Sequence, residues 1–159
     1  GLAAWKSAGG AFEAGETACR QAAAPELRPD MAMAVQTAEL AEEPGRFTIE
    51  DARGSARFTG AVEPLDSRAG HIPGALNRPF GSNLELNGRF RDAEELREDF
   101  EDLLGEADPG TVVHSCGSGV SACHNLFAME LAGLTGTRLY PGSWSEWIRD
   151  PDRPIATGP

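Results

Sequence analysis

The stretch His114-Ser115-Cys116-Gly117-Ser118-Gly119-Val120-Ser121-Ala122 carries the strongest chemical signal in the chain. An apolar run over residues 111–115 enters it with strand character, and a helical pattern leaves it. Cys116 is the first residue of the loop between them. In parallel α/β sheets, ligands bind beyond the carboxyl ends of the strands. Gly117 and Gly119 permit backbone turns that a Cβ resists. Such a loop can aim successive N–H groups at one centre, and the start of a helix adds partial positive charge there. The atom at that centre is the sulfur of Cys116. A free thiol titrates near about 8.5, and surroundings of this kind bring it down to roughly 3.5–7.5. The thiolate is the nucleophilic form. The same cradle accommodates a persulfide anion one atom further out, with the hydroxyls of Ser118 and Ser121 as donors.

These residue types admit three other uses. An inert buried thiol is common for free cysteine, but glycine spacing at a strand–helix junction argues against it. A phosphate-transfer nucleophile wants an arginine six positions after the cysteine, where this chain has Ala122. A zinc site from His114, Cys116, Cys123 and His124 lacks a C-x-x-C pair, and Cys123 falls about one turn into the helix. No metal or organic cofactor is expected.

The elements that must hold the loop are legible as alternating patterns. Residues 31–35 and 46–51 read as strands, the second alternating apolar and polar. Thr37 is placed as the cap of a short helix over 38–43, before a Pro44-Gly45 turn. Residues 70–75 (GHIPGA) form a turn-rich connection. Residues 92–104 read as a helix, with Asp92 and Glu95 at capping-box spacing and Leu96, Phe100, Leu103 and Leu104 on one face. Residues 120–134 give another, with Val120, Cys123, Phe127, Leu131 and Leu134 as its inward stripe. Residues 137–140 read as the last strand and 143–148 as a closing helix. Strands alternating with helices imply parallel crossovers in a layered α/β domain. One echo stands out: Gly1-Leu2-Ala3-Ala4-Trp5 lines up with Ser143-Trp144-Ser145-Glu146-Trp147, as if the chain began with the last helix of a preceding copy. Residues 15–29 have linker texture, and Cys19 within them reads as incidental.

Composition bounds the partners. The chain has 159 residues, a net charge of −11 and 40% hydrophobic residues, which suits one medium domain with a tail. The acidic balance opposes nucleic-acid backbones, and no apolar run reaches the roughly 18–20 residues a membrane span needs. Three cysteines do not make a disulfide scaffold, so a reducing, cytoplasmic compartment is expected. The chain begins at Gly1 rather than Met, so it reads as a processed or cut piece.

Several motifs together resemble the rhodanese-like sulfurtransferases. Cys116-Gly117-Ser118-Gly119-Val120-Ser121 is similar to the active-site loop of their mercaptopyruvate branch, with serine where threonine is usual at the end. Thiosulfate-specific members carry basic residues after the cysteine, where this chain has Gly117 and Ser118. Asp51-Ala52-Arg53, Gly70-His71-Ile72-Pro73-Gly74-Ala75 and Tyr140-Pro141-Gly142-Ser143-Trp144-Ser145-Glu146-Trp147 resemble further family signatures, in the family's order. The resemblance spans residues 30–158.

It implies a three-layer domain with a central five-stranded parallel sheet flanked by helices. Residues 1–29 would be the tail helix of a preceding rhodanese domain plus linker, and 30–159 the catalytic domain. The implied enzyme moves sulfane sulfur from 3-mercaptopyruvate to a thiol such as thioredoxin, or to cyanide, through a Cys116 persulfide. Arg57 and Arg68 are the implied carboxylate ligands, although the 63–68 segment is about two residues shorter than usual. Arg53 is expected in a structural ion pair, His71 in a structural turn, and Trp144 and Trp147 in packing. Ser118 would act with groups of the upstream domain. Two rivals stay open: a thiosulfate:cyanide sulfurtransferase, and a non-catalytic rhodanese module that docks a partner.

Overall fold

The computed structural model describes residues 1–16, 26, 28, 30–43 and 45–159. Cys19, Pro25, Pro29 and Pro44 lie outside the described residues. The elements run α1 (Leu2–Ser7), α2 (Thr37–Glu42), β1 (Thr48–Asp51), α3 (Ser55–Phe58), β2 (Leu76–Asn77), α4 (Ala93–Leu104), β3 (Val112–Ser115), α5 (Ala122–Leu131), β4 (Arg138–Leu139) and α6 (Ser143–Trp147). The four strands form one parallel sheet in the order β2-β1-β3-β4.

Both faces of the sheet are covered, as parallel sheets require. Ile49 and Val113 point to one side, where they pack with Leu40, Tyr140, Trp144, Trp147 and Ile148 from around α2 and α6. Val112 points to the other, against Leu96 and Phe100 of α4 and Ala128 and Met129 of α5. Helices therefore sandwich the sheet in three layers, and β3 lies inside it with Cys116 just past its carboxyl end.

Several expectations need correction. The sheet has four strands among the described residues, not five. The segment expected as a strand over 31–35 instead begins with a 3-10 turn, Met31–Met33, because the Asp30 carboxylate accepts from the Ala32 amide at 3.0 Å and closes the backbone locally. Only Ala34 bridges Leu139, with the Val35 amide donating to the Leu139 carbonyl at 2.8 Å.

The inward stripe of α5 is also different. Val120, Phe127 and Leu131 are exposed, while Ala122, Asn125, Ala128 and Met129 face the interior. Small residues let this helix approach the sheet closely, and a buried amide at Asn125 has partners there. Finally, the capping box sits at Gln36 and Glu39 on α2, whereas Asp92 begins α4 without a side-chain cap. Thr37 is drawn inward instead, where its hydroxyl pairs with the Tyr140 hydroxyl at 2.8 Å and with Glu146.

Candidate active site

The loop after β3 curls around its own first side chain. Cys116 is 1% exposed. The Ser121 hydroxyl and the backbone amides of Ala122, Ser118 and Ser121 surround its sulfur and favour the anion. Burial alone pushes this thiol up, but those donors outweigh it, and the net result is a thiol held below its ordinary value. All of the donors are uncharged. Of the two expected hydroxyls, that of Ser121 reaches the sulfur, and Ser118 contributes its amide.

The loop is fastened from outside by the turn into α6. The Cys116 amide donates to Ser143 Oγ at 3.0 Å, and Ser143 Oγ donates to the Tyr140 carbonyl at 2.9 Å. The amides of Trp144 and Ser145 donate to the carbonyls of Cys116 and Gly117 at 3.0 and 2.9 Å. Ser143 adopts φ 51°, a left-handed conformation that places its hydroxyl between the two segments. Gly119 has φ 81°, and a Cβ there would stand 2.7 Å from the Pro141 carbonyl oxygen. Only glycine lets the loop lie this close to the turn.

A pocket of about 300 Å³ opens over the sulfur, lined by Arg57, Leu65, Asp66, Cys116, Gly117, Ser118, Ser121 and Ser145. Arg57, on α3, forms the opposite wall. Its Nη2 donates to Glu63 at 2.8 Å and to Asp66 at 3.0 Å, and its Nε also meets Glu63. The end of the guanidinium faces the loop, with Nη1 and Nη2 3.5 and 3.7 Å from where a Cβ on Gly117 would sit. Burial pushes the Glu63 carboxyl up, but hydrogen bonds from Arg57 and from the Leu65 and Asp66 amides hold it below the usual range. Ser145 Oγ donates to Asp66 at 2.7 Å, joining this wall to α6.

Arg68 is not among the residues lining the pocket. Its guanidinium reaches the Pro151 carbonyl at 3.3 Å, while its own carbonyl accepts from the Trp144 indole at 2.9 Å. Val120 belongs to the loop but is 78% exposed. Sequence reasoning did not single out Asp66 and Ser145. Each lies inside a segment that was read for other reasons, and only folding brings them to the same wall.

The supporting residues take structural positions. Arg53 is buried against Asp51 at 2.7 Å, donates to the Gly70 carbonyl at 2.7 Å and lies 4.9 Å from the Trp144 ring centre. His71 stacks on Phe58 with ring centres 3.7 Å apart, and its Nδ1 meets the Phe58 carbonyl at 2.8 Å. The backbone of His71 pairs with Ala156, so close to Gly70 that a Cβ there would be 2.3 Å from the Ala156 oxygen. His114, considered for zinc, is buried against Glu50 instead. Among the described residues no group of three or more His, Cys, Asp or Glu side chains is arranged for a metal ion. No helix among them is long and apolar enough to cross a membrane.

The fold is a three-layer parallel α/β domain with a buried cysteine just past the end of an interior strand. Within that class its lineage is specific: the Rhodanese-like domain family matches residues 34–150, and the chain belongs to that family. A Pseudomonas aeruginosa relative named "Probable 3-mercaptopyruvate sulfurtransferase" is 49% identical over 160 residues, covering 99% of this chain and 56% of the relative. The thiosulfate sulfurtransferase of Gallus gallus is 38% identical over 104 residues, covering 65% of this chain and 35% of its own length. Among solved structures, 3-mercaptopyruvate sulfurtransferase from Leishmania major is similar at TM-score 0.75 and 35% identity, across 95% of this chain and 43% of that one. The chain thus spans about half, or less, of the length of these relatives.

Proposed function

We propose that this chain is the catalytic domain of a sulfurtransferase that takes sulfur from 3-mercaptopyruvate and passes it to a thiol or to cyanide. The observation that carries this reading is the Cys116 sulfur, set at the base of a pocket with only uncharged donors around it and one arginine facing it. The Cys116 thiolate attacks the donor's sulfur. The donor's C–S bond breaks, its electron pair stays on carbon, and the resulting pyruvate enolate takes up a proton. Cys116 is left as a persulfide, whose outer sulfur extends into the pocket. An acceptor thiolate, such as that of a small thiol or thioredoxin, then attacks that outer sulfur and releases Cys116 as the thiolate. Two half-reactions of this kind give ping-pong kinetics.

Arg57 is the carboxylate ligand in this reading. Glu63 and Asp66 occupy its Nε and Nη2, which leaves Nη1 for one oxygen of the donor. Arg68 takes no part in the geometry observed. The net charge of −11 opposes anionic donors at long range, but salt screens that beyond about 8 Å, so the pocket decides.

The same reading treats residues 1–16 as the closing segment of an upstream rhodanese domain. The Trp5 indole donates to the Ala11 carbonyl at 3.0 Å, as the Trp147 indole donates to the Pro154 carbonyl at 2.9 Å. Leu2, Trp5 and Phe12 are exposed, as expected of a segment whose core is formed by other residues. Groups of that upstream domain would assist Ser118.

Mass spectrometry after donor treatment tests the proposal. One additional sulfur on the Cys116 peptide, absent in Cys116→Ser, is the expected result. No sulfur loading from either mercaptopyruvate or thiosulfate would leave a docking module as the better account. Faster loading from thiosulfate than from mercaptopyruvate would make the chain a thiosulfate sulfurtransferase.

A further inference from the structure

Beneath the loop, on the α4/α5 side of the sheet, lies a chain of buried polar side chains that the sulfur chemistry does not use. Glu50 on β1 and His114 on β3 are register partners, and each is 0% exposed. Glu50 Oε2 meets His114 Nδ1. The other carboxylate oxygen, Oε1, accepts from Asn125 Nδ2 at 2.9 Å, and the same amide donates to the Arg78 carbonyl at 2.8 Å. Asn125 Oδ1 accepts from Asn83 Nδ2 at 2.6 Å.

The adjoining register pair, Ile49 and Val113, is apolar. A buried carboxylate and imidazole cost more to place than an apolar pair of similar volume, so stability alone does not account for them. What a hydrogen-bonded cluster adds is direction: it fixes angles that apolar contacts leave loose. The elements it joins are the relevant ones. His114 stands two residues before Cys116, and Asn125 stands about one turn after the first residue of α5. The mutual placement of β3 and α5 decides whether the amides of Ser121 and Ala122 converge on the sulfur. Of the outward residues of α5, Phe127 is exposed, and Cys123 meets only the Gly119 carbonyl at 3.3 Å, within the loop rather than on the sheet.

We propose that Asn125, held by the Glu50–His114 pair, is a positioning residue that fixes the first turn of α5 against the end of β3 and so keeps the loop amides on Cys116. The inference rests on Cys116 being the reactive thiol. Its test reads the pH midpoint of Cys116 alkylation by iodoacetamide, resolved by peptide mass spectrometry in the 159-residue chain. This reagent is neutral and needs no sulfur donor, so the readout is independent of substrate choice.

Asn125→Leu is expected to raise the midpoint by about one unit, because the thiolate loses aligned donors. Glu50→Gln keeps an acceptor for Asn125 and a donor for His114, and is expected to leave the midpoint at the wild-type value. The pair Glu50→Leu with His114→Leu, which removes the buried polar groups together, is expected to raise it as Asn125→Leu does. An unchanged midpoint in either folded leucine variant overturns the inference. So does a fall in Glu50→Gln, which would mark a direct charge effect on the sulfur of opposite sign. Failure of both leucine variants to fold also overturns it, since the cluster would then serve stability alone. A wild-type Cys116 that titrates as an ordinary thiol would instead remove the functional reading on which the inference stands.

Discussion

The two walls of the Cys116 pocket are built by different means, and under the proposed function both would face an anion. The loop wall uses main-chain amides and a serine hydroxyl, with no net charge. The α3 wall uses a full positive charge on Arg57, already tied to Glu63 and Asp66. Amides pinned by the fold hold a sulfur anion only at the point on which they converge, and salt scarcely screens them at contact distance. A guanidinium left free would attract any passing anion, whereas two carboxylates fix its orientation and leave one edge exposed to the pocket. Under the proposed function this difference separates the tasks: one wall would set the reactivity of the thiol, and the other would select the donor by its carboxylate.

Breaking the first wall should have the largest effect. Gly119→Ala places a Cβ 2.7 Å from the Pro141 oxygen at φ 81°, so the loop must shift and its amides lose their aim. We expect persulfide formation to fall by about 100-fold or more, since misplacing a catalytic constellation by about 1 Å costs on that order. Stopped-flow or quenched sulfur loading would measure it. A loss of less than about tenfold would mean the amide geometry is not what makes the sulfur reactive.

The second wall should be separable from the first. Arg57→Ala is expected to lower kcat/KM for mercaptopyruvate by about 10–100-fold, the worth of a charge-assisted hydrogen bond in a partly buried site. Its alkylation by neutral iodoacetamide should remain near wild type. Equal losses in both assays would show that Arg57 supports the loop rather than the donor.

Ser121→Ala sharpens the comparison within the loop wall. Removing one donor to the anion should raise the Cys116 midpoint by roughly half a unit to one unit. The sign follows from the protonation state. The reactive form is the thiolate, so the variant should be slower below the wild-type midpoint and equal to it well above both midpoints. A rate deficit that persists at high pH would point to a role for the hydroxyl other than holding the anion.

The smallest effect belongs to the nearby thiol. Cys123 is exposed and does not line the pocket, and its sulfur donates only to the Gly119 carbonyl at 3.3 Å. Cys123→Ser should change sulfur loading by less than about twofold, as surface substitutions of this kind do. A large loss would show that the wrong sulfur had been assigned.

Much of this arrangement could be read from residue order because it is local. The Cys116–Ser121 loop, the Asp51–Arg53 pair and the Gly70–Ala75 turn are each specified by residues within a few positions of one another. Glycine at 119 and alternation over 48–51 are physical requirements that the sequence displays openly. Readings failed where a decision involved distant partners. The stripe chosen for α5 followed residue size and so picked Phe127 and Leu131. The helix instead turns Asn125 inward, because Glu50, 75 positions away, offers its amide a partner. The place of Arg68 in its motif likewise gives no sign that its guanidinium reaches the carbonyl of Pro151, 83 positions on.

The sequence by itself determined that a cysteine would follow a strand and precede a helix in a glycine-jointed loop, and that alternating patterns would build parallel layers around it. Those are consequences of short-range sterics and hydrophobic periodicity. Tertiary structure alone decided which carboxylates restrain Arg57, that Ser143 locks the Cys116 amide, and that a buried Glu50–His114–Asn125 cluster joins sheet to helix. Each of those depends on hydrogen bonds between segments far apart in the chain, whose geometry exists only once the sheet has brought them within about 3 Å.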